Sequence, residues 1–85
     1  MNLIILTPEK EIYNGRVKSV KVPGTTGQFE ILTGHAPIVS SLTEGKIRVL
    51  DGDGNKTEFN IDSGFVEVIK NEISLLVRGL VEAAS

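Results

Sequence analysis

The stretch "KIRVLDGDGNKTEFNI", residues 46 to 61, decides the fold class of this chain. In "KIRVL" a charged residue separates Ile47 from Val49, and "TEFNI" alternates polar and apolar residues in the same way. Alternation with a period of two is typical of a β-strand with one buried face. The acidic, glycine-rich centre suits a turn, in which Gly52 and Gly54 supply positive φ angles. The stretch therefore predicts a β-hairpin.

The same pattern extends from this hairpin towards both ends of the chain. Short apolar runs alternate with turn signals such as "TPE", "NG", "PGTTG", "TGHAP", "EG", "DSG" and "KN". The runs are "NLIIL", "EIY", "RVKSVKV", "QFEIL", "IVSSL", "KIRVL", "TEFNI", "FVEVI" and "EISLLV". We predict an all-β fold, a two-layer antiparallel β-sandwich of about nine or ten short strands, in a single domain over residues 1–85. The predicted core residues are Val20, Val22, Phe29, Ile31, Ile47, Val49, Phe59, Ile61, Ile73, Leu75 and Val77. Only the tail "LVRGLVEAAS" also fits a helix, which Gly79 would interrupt.

Several of these strands carry apolar residues at adjacent positions. Residues 3–6 read "LIIL", and three adjacent pairs are Ile38–Val39, Val49–Leu50 and Leu75–Leu76. Neighbouring residues of a strand point to opposite faces, so one member of each pair is expected outside the core. Either loops cover these side chains or they form an apolar patch, and such patches usually mark an interface with another protein.

Composition excludes several classes of function. The 85 residues include no cysteine and one histidine, so a disulfide framework, a cysteine nucleophile and a zinc site of thiolates and imidazoles are all excluded. Nine basic and eleven acidic residues give a net charge of −2, and the aromatic residues are one Tyr and three Phe. Such a chain lacks the basic surface and stacking platforms of a nucleic-acid binder. The run "MNLIILTPEK" is too short for a signal peptide or a membrane span, so we expect a soluble, cytoplasmic protein.

The acidic hairpin centre also resembles the start of a calcium loop. Asp51, Asp53 and Asn55 stand at alternating positions, and Asp62 falls where a twelfth ligand would stand. The sixth position, which needs glycine for a sharp turn, holds Lys56. A plain hairpin loop is therefore the favoured interpretation, and a small stand-alone interaction module or a calcium-binding module remains the alternative function.

The stretch "TGHAPIVSSL", residues 33–42, holds the single histidine, His35. Together with Ser40 and Ser41 it could belong to a catalytic triad, but no local motif sets the geometry that a triad needs. The competing interpretation is a turn residue whose ring hydrogen-bonds its own loop, beside the fixed φ of Pro37. "PGTTGQFE" lacks the lysine and the following helix of a phosphate-binding loop. The residues alone therefore indicate a small, non-enzymatic all-β domain that belongs to an assembly.

A longer motif adds a family resemblance to this interpretation. The stretch "VPGTTGQFEILTGHAPIVSSLTEGKIRV", residues 22–49, resembles the signature of the ε subunit of F-type ATP synthase, which is called δ in mitochondria. "TPEKEIYNGRVKSVKVPG" and "FNIDSGFVEVIKNEISLLV" extend the resemblance to nearly the whole chain. Glu30 and Thr33 depart from the usual Gly and Pro of the family. The matching residues are Gly27, Phe29, Gly34, His35, Ala36, Pro37, Leu42 and Gly45.

The resemblance implies a rotor subunit that carries no catalytic residue, metal or cofactor of its own. Its β-sandwich would pack on the γ subunit and stand on the c-ring, at the cytoplasmic face of the bacterial plasma membrane. The segment from Gln28 to Leu42 would then face γ or the c-ring. The expected contact residues are Gln28, Phe29, Gly34, His35, Ala36, Pro37, Ile38 and Leu42. The expected turn glycines are Gly27, Gly45 and Gly64.

Most members of the family continue into a C-terminal helical hairpin, which is associated with ATP binding and with inhibition of hydrolysis. This chain begins with Met1 and ends at "LVRGLVEAAS", where that hairpin would begin. The segment after Val77, "RGLVEAAS", would span only about 12 Å as a helix. The start at Met1 favours a naturally short subunit over a chain cut before the hairpin, and the sequence leaves both alternatives open. We expect the chain as given to couple rotation, not to latch the motor and not to bind ATP.

Overall fold

The computed structural model of the protein describes residues 1–82, and within that range it contains nine β-strands and no helix. No helix of this part of the chain could therefore cross a membrane. The strands are β1 (Asn2–Leu6), β2 (Glu11–Gly24), β3 (Gly27–Leu32), β4 (Ile38–Leu42), β5 (Gly45–Asp51), β6 (Lys56–Ile61), β7 (Ser63–Ile69), β8 (Glu72–Arg78) and β9 (Val81–Glu82). The all-β prediction is confirmed.

The long strand β2 joins the two layers of the sandwich. Its first half pairs with β1, and its second half pairs with β3 on one side and with β5 on the other. The register with β5 shifts between Val17 and Ser19, and such a bulge bends a strand and increases its twist. One layer therefore runs β3–β2–β5–β6–β9 and the other runs β2–β1–β8–β7–β4. A single pair, Gly24 and Leu42, connects β4 back to β2.

The division of β2 into two runs was predicted wrongly. The dipeptide Asn14–Gly15 indicates a turn, yet both residues lie inside β2 and pair with Ile4 and Leu3 of β1. A partner strand that supplies hydrogen bonds along the whole segment keeps the backbone extended, which outweighs a local turn preference. The strand count is still nine in residues 1–82, because β9 forms in the tail that also fitted a helix. Residues 83–85 of that tail lie outside the described range.

The prediction of a purely antiparallel sandwich is wrong at one pair of strands. β1 and β8 run parallel, from Asn2 beside Glu72 to Leu6 beside Leu76. The other pairings among residues 1–82 are antiparallel. Alternation has the same period in both arrangements, so it carries no information about strand direction.

The core lies between the two layers and consists of aliphatic residues with one aromatic residue, Phe59. Every predicted core residue is buried except Phe29, which is half-buried and packs against the edge of the core. Both layers contribute, because Leu3, Ile5 and Leu75 of one layer share the cluster with residues of the other. No polar or charged residue in the described range is buried. The two outer faces therefore carry all the remaining chemistry of residues 1–82.

Candidate interaction surface

The outer face of the β1–β8–β7–β4 layer carries several exposed apolar side chains, with Ser74 and Glu67 in the row between Ile4 and Val39. Val39, Phe65 and Leu76 are 72%, 57% and 51% exposed. Leu76 pairs with Leu6 on one side and with Phe65 on the other, so their side chains form one row about 5 Å apart from strand to strand. We call this surface the apolar face; its residues are Ile4, Leu6, Val39, Phe65, Ile69 and Leu76.

The adjacent apolar pairs in the sequence account for part of this face. Leu75 is fully buried while Leu76 is exposed, and Ile38 is half-buried while Val39 is exposed. Of the two alternatives that the sequence left open, the apolar patch fits Val39 and Leu76, which are exposed, whereas Leu50 is half-buried. Phe65 was not predicted, although its neighbour Val66 makes it another adjacent pair of the same kind.

The outer face of the β3–β2–β5–β6 layer is largely charged, although Leu32, which pairs with Ser19, is 51% exposed on it. Arg48 Nε lies 3.1 Å from Glu58 Oε2, and Lys46 Nζ lies 3.5 Å from Glu58 Oε1. Lys21 pairs with both Glu30 and Arg48 across the strands. Exposed ion pairs of this kind contribute about 1 kcal/mol or less. Water solvates this charged face well, whereas removal of the apolar face from water by a partner would be favourable.

The five residues 33–37, which we call the His35 loop, connect β3 to β4. Gly34 has φ +83°, the left-handed region that glycine adopts without strain. The His35 N–H donates to the Leu32 carbonyl at 3.0 Å, and its Nδ1 lies 2.6 Å from the Ala36 carbonyl oxygen. A carbonyl only accepts, so Nδ1 carries the proton in this contact. This geometry confirms the interpretation of His35 as a turn residue that hydrogen-bonds its own loop.

The His35 loop adjoins the apolar face. Pro37, Val39 and Ile69 line one shallow cavity of about 240 Å³, together with Ile38 and Val68. Pro37 belongs to the loop, while Val39 and Ile69 belong to the apolar face. Loop and face therefore form one continuous surface.

The segment from Gln28 to Leu42 does not form one contact loop. Leu42 pairs with Gly24 and lies at the Gln28 end of the molecule, whereas Ile38 lies about 13 Å away at the other end of β4. Leu42 is 3% exposed and belongs to the core, which corrects its assignment as a contact residue. Its position between two polar or turn segments gave no sign of this burial. Gln28 is exposed and Phe29 half-buried, and both lie apart from the His35 loop.

Gly64 differs from the other two predicted turn glycines. Gly27 closes the β2–β3 hairpin and Gly45 begins β5, but Gly64 lies inside β7 and pairs with Val77. A Cβ at Gly64 would lie 2.6 Å from the Leu76 carbonyl oxygen. This glycine therefore allows β7 and β8 to approach each other closely, and its assignment as a turn residue is wrong.

The acidic segment between β5 and β6 is a hairpin loop, which is the interpretation that the sequence favoured. Asp51 Oδ1 accepts the N–H groups of Asp53 and Asn55 at 2.8 and 2.9 Å. Hydrogen bonds from the loop backbone, first that of Asn55, lower the pKa of the Asp51 carboxyl. Gly54 has φ +88°, but the prediction of a positive φ at Gly52 is wrong.

Asp62 lies too far from this loop to complete a calcium site. It follows the far end of β6, about 20 Å from the loop by the rise of a strand, and its N–H donates to the Arg78 carbonyl. Within residues 1–82 no three His, Cys, Asp or Glu side chains are grouped closely enough to hold a metal ion. The alternating acidic residues serve the turn instead.

A small β-sandwich with an exposed apolar surface on one outer face is typical of a domain that is built into a larger protein assembly. Comparison with known proteins identifies the family of this domain. The family model described as "ATP synthase, Delta/Epsilon chain, beta-sandwich domain" matches residues 1–83, and the chain belongs to this family.

Individual relatives agree with the family assignment. The chain is 38% identical over 84 residues to the ATP synthase epsilon chain of Caulobacter vibrioides, covering 99% of this chain and 96% of that one. It is 43% identical over 74 residues to the epsilon chain of Chlorobium limicola, covering 87% and 84%. A chain in the mitochondrial ATP synthase of Euglena gracilis, solved as OSCP, F1 and c-ring, has the same fold. The TM-score is 0.85 at 21% identity, over 94% of this chain and 51% of that chain.

Proposed function

We propose that this chain is a non-catalytic central-stalk subunit of an F-type ATP synthase, which binds the γ subunit and the c-ring. In this role it couples proton translocation to ATP synthesis. It would be peripheral to the cytoplasmic face of a bacterial plasma membrane and held there through the complex. The observation that carries the proposal is the continuous surface of the apolar face and the His35 loop, in a member of the ATP synthase delta/epsilon family.

The apolar face suits the γ subunit as its partner. Its central row, Leu6, Leu76 and Phe65, crosses three strands, and burial of such a row contributes about 25 cal/mol for each Å² of apolar surface. A helical partner with an apolar stripe would cover it, because side chains at helical spacing present a row of similar width.

The His35 loop suits the c-ring. It lies at one end of the sandwich, and it exposes backbone and small side chains at Thr33, Gly34 and Ala36. Such a surface favours polar contacts with exposed loops at the end of another protein. Because the His35 loop adjoins the apolar face, adjacent contacts on one rigid body would let the subunit join γ to the ring.

The polar groups of the chain support a non-catalytic role. The Nδ1 atom of His35 is engaged with the Ala36 carbonyl, and the Asp51 carboxylate holds its own turn. A general base or nucleophile needs to be free to reach a substrate atom. We therefore propose no catalytic role for His35 or Asp51, and the absence of a cofactor and of ATP binding stays a prediction.

The test is direct binding of the purified 85-residue chain to an isolated γ subunit and to a γ–c-ring subcomplex. We expect saturable binding to γ and tighter binding to the subcomplex, because two linked contacts raise the effective affinity. A correctly folded chain that binds neither preparation would refute the proposal. Parallel calorimetry with ATP should give no binding heat.

A further inference from the structure

We propose that Asn71 is a positioning residue that holds the His35 loop in the shape that a partner binds. The inference rests on the proposed function of that loop. Asn71 is the second residue of the two-residue turn between β7 and β8, after Lys70. The two turn residues have φ angles of 48° and 63°, as in the hairpin turns that match the twist of their strands.

The side chain of Asn71 reaches from this turn to the His35 loop. Its Oδ1 accepts the N–H of Gly34 at 2.8 Å, across 37 positions of the chain. Its own backbone carbonyl accepts the N–H of Asn2 at 3.0 Å. One residue thus joins the β7–β8 turn, the beginning of β1 and the His35 loop.

The remaining hydrogen bonds of the loop are local. His35 donates to Leu32 and Ala36, which are at most three positions away. Among residues 1–82, the Asn71 contact is the one hydrogen bond that ties the loop backbone to a distant part of the chain. Local bonds shape the turn, and the distant anchor adds a further constraint on the direction in which the loop points from the sandwich.

This anchor matters for binding because, among the described residues, the loop is otherwise held only by its two flanking strands and by local hydrogen bonds. Thr33, Gly34, Ala36 and Pro37 are all exposed, and an unanchored loop loses conformational freedom when a partner orders it. Asn71 removes part of that cost before the partner arrives. Asn71 is not among the expected contact residues, so we attribute its effect to pre-organisation of the loop.

Asn71→Gly separates this role from the turn itself. Glycine is favoured at this turn position, so the hairpin remains intact while the Oδ1 acceptor is removed. Lys70→Gly is the matched control, because it changes the neighbouring turn residue, which also has a positive φ, and leaves Asn71 in place. Asn71→Asp retains an acceptor oxygen and tolerates the same φ, so it should behave as the native chain.

Two measurements test whether Asn71 positions the His35 loop for binding. Hydrogen exchange of the Gly34 amide should become about tenfold faster in Asn71→Gly, and affinity for the γ–c-ring subcomplex should fall about fivefold, the effect of one net hydrogen bond. Lys70→Gly and Asn71→Asp should change neither value. Faster exchange with unchanged affinity would overturn the positioning role alone, as would an Asn71→Asp variant that behaves as Asn71→Gly. Failure of the native chain to bind would overturn the proposed function as well.

Discussion

Asp51 Oδ1 accepts two backbone N–H groups within its own turn, and His35 Nδ1 hydrogen-bonds the carbonyl of the next residue. Both side chains are of types that also occur in metal sites and active sites, and in this chain both are engaged in shaping turns. Short polar side chains beside glycine commonly do this, because they satisfy the donors and acceptors that a turn leaves unpaired. The role of such a residue is thus decided by which backbone groups surround it.

The lowered pKa of Asp51 allows a test of whether the charge of this carboxylate stabilises the turn. Its folded-state pKa is lowered by the backbone donors, so its contribution to stability is present above the unfolded-state value of about 3.9 and is lost as pH falls through the lower, folded-state value. Asn at this position retains the acceptor oxygen but not the charge. We expect Asp51→Asn to melt below the native chain at pH 7, and the two melting temperatures to converge as the pH falls through the lowered, folded-state pKa of Asp51. A gap that persists unchanged over this range would contradict the charge-based account.

His35→Ala tests the loop without disturbing the core. The hydrogen bond of the ring lies at the surface, so its loss should lower the free energy of unfolding by about 1 kcal/mol or less. Affinity for the γ–c-ring subcomplex should fall by more than this change in stability. Urea denaturation and binding titration measure the two effects. An unfolded variant, or a stable one with native affinity, would show that His35 acts in packing or has no role in binding.

The strands show what alternation can and cannot predict. It located the hairpin of β5 and β6 and ten of the sixteen buried core residues, because a period of two assigns each side chain to a face. The six core residues that it missed are Leu3, Ile5, Val17, Leu42, Val66 and Val68. It did not show that "EIY" and "RVKSVKV" form one strand or that β1 lies parallel to β8, since both depend on partners distant in sequence. The same limit applies to the candidate site. The turn at His35 depends on local sequence and was predicted, whereas the burial of Leu42 and the hydrogen bond from Gly34 to Asn71 depend on long-range pairing and were not.

The close approach of β7 and β8 gives a test at the scale of the element. In Gly64→Ala the new Cβ would meet the Leu76 carbonyl oxygen at 2.6 Å and Val77 Cγ1 at 3.0 Å. Backbone atoms of a central strand cannot move aside easily, so we expect a loss of about 1–3 kcal/mol in the free energy of unfolding. Gly15→Ala in β2 is the control, because its Cβ would meet only the Tyr13 ring, at 3.7 Å or more. Equal denaturation midpoints for the two variants would refute this explanation of Gly64.

Over the whole molecule, the two outer faces divide the tasks of solubility and assembly. The charged face carries Lys21, Arg48 and Glu58 in one cross-strand row, which keeps that side in water. The apolar face leaves Phe65 and Leu76 side by side and exposed. The thin core of a sandwich this small cannot take in these side chains as well, so their burial requires a partner.

The asymmetry of the faces leads to a paired experiment. Phe65→Ser with Leu76→Ser removes the centre of the apolar face, and Lys21→Gln with Arg48→Gln removes charge from the other face. Both pairs are at the surface, so both variants should fold with small changes in stability. If the apolar face binds γ, the first variant should lose about 30-fold or more in affinity, because buried aromatic and aliphatic side chains dominate interfaces. The second should bind nearly as the native chain does, with little dependence on salt, because exposed charges away from the contact affect mainly the association rate. The reverse result, with affinity lost only in the charge variant and restored by low salt, would assign γ to the charged face and leave the apolar face without a role in the complex.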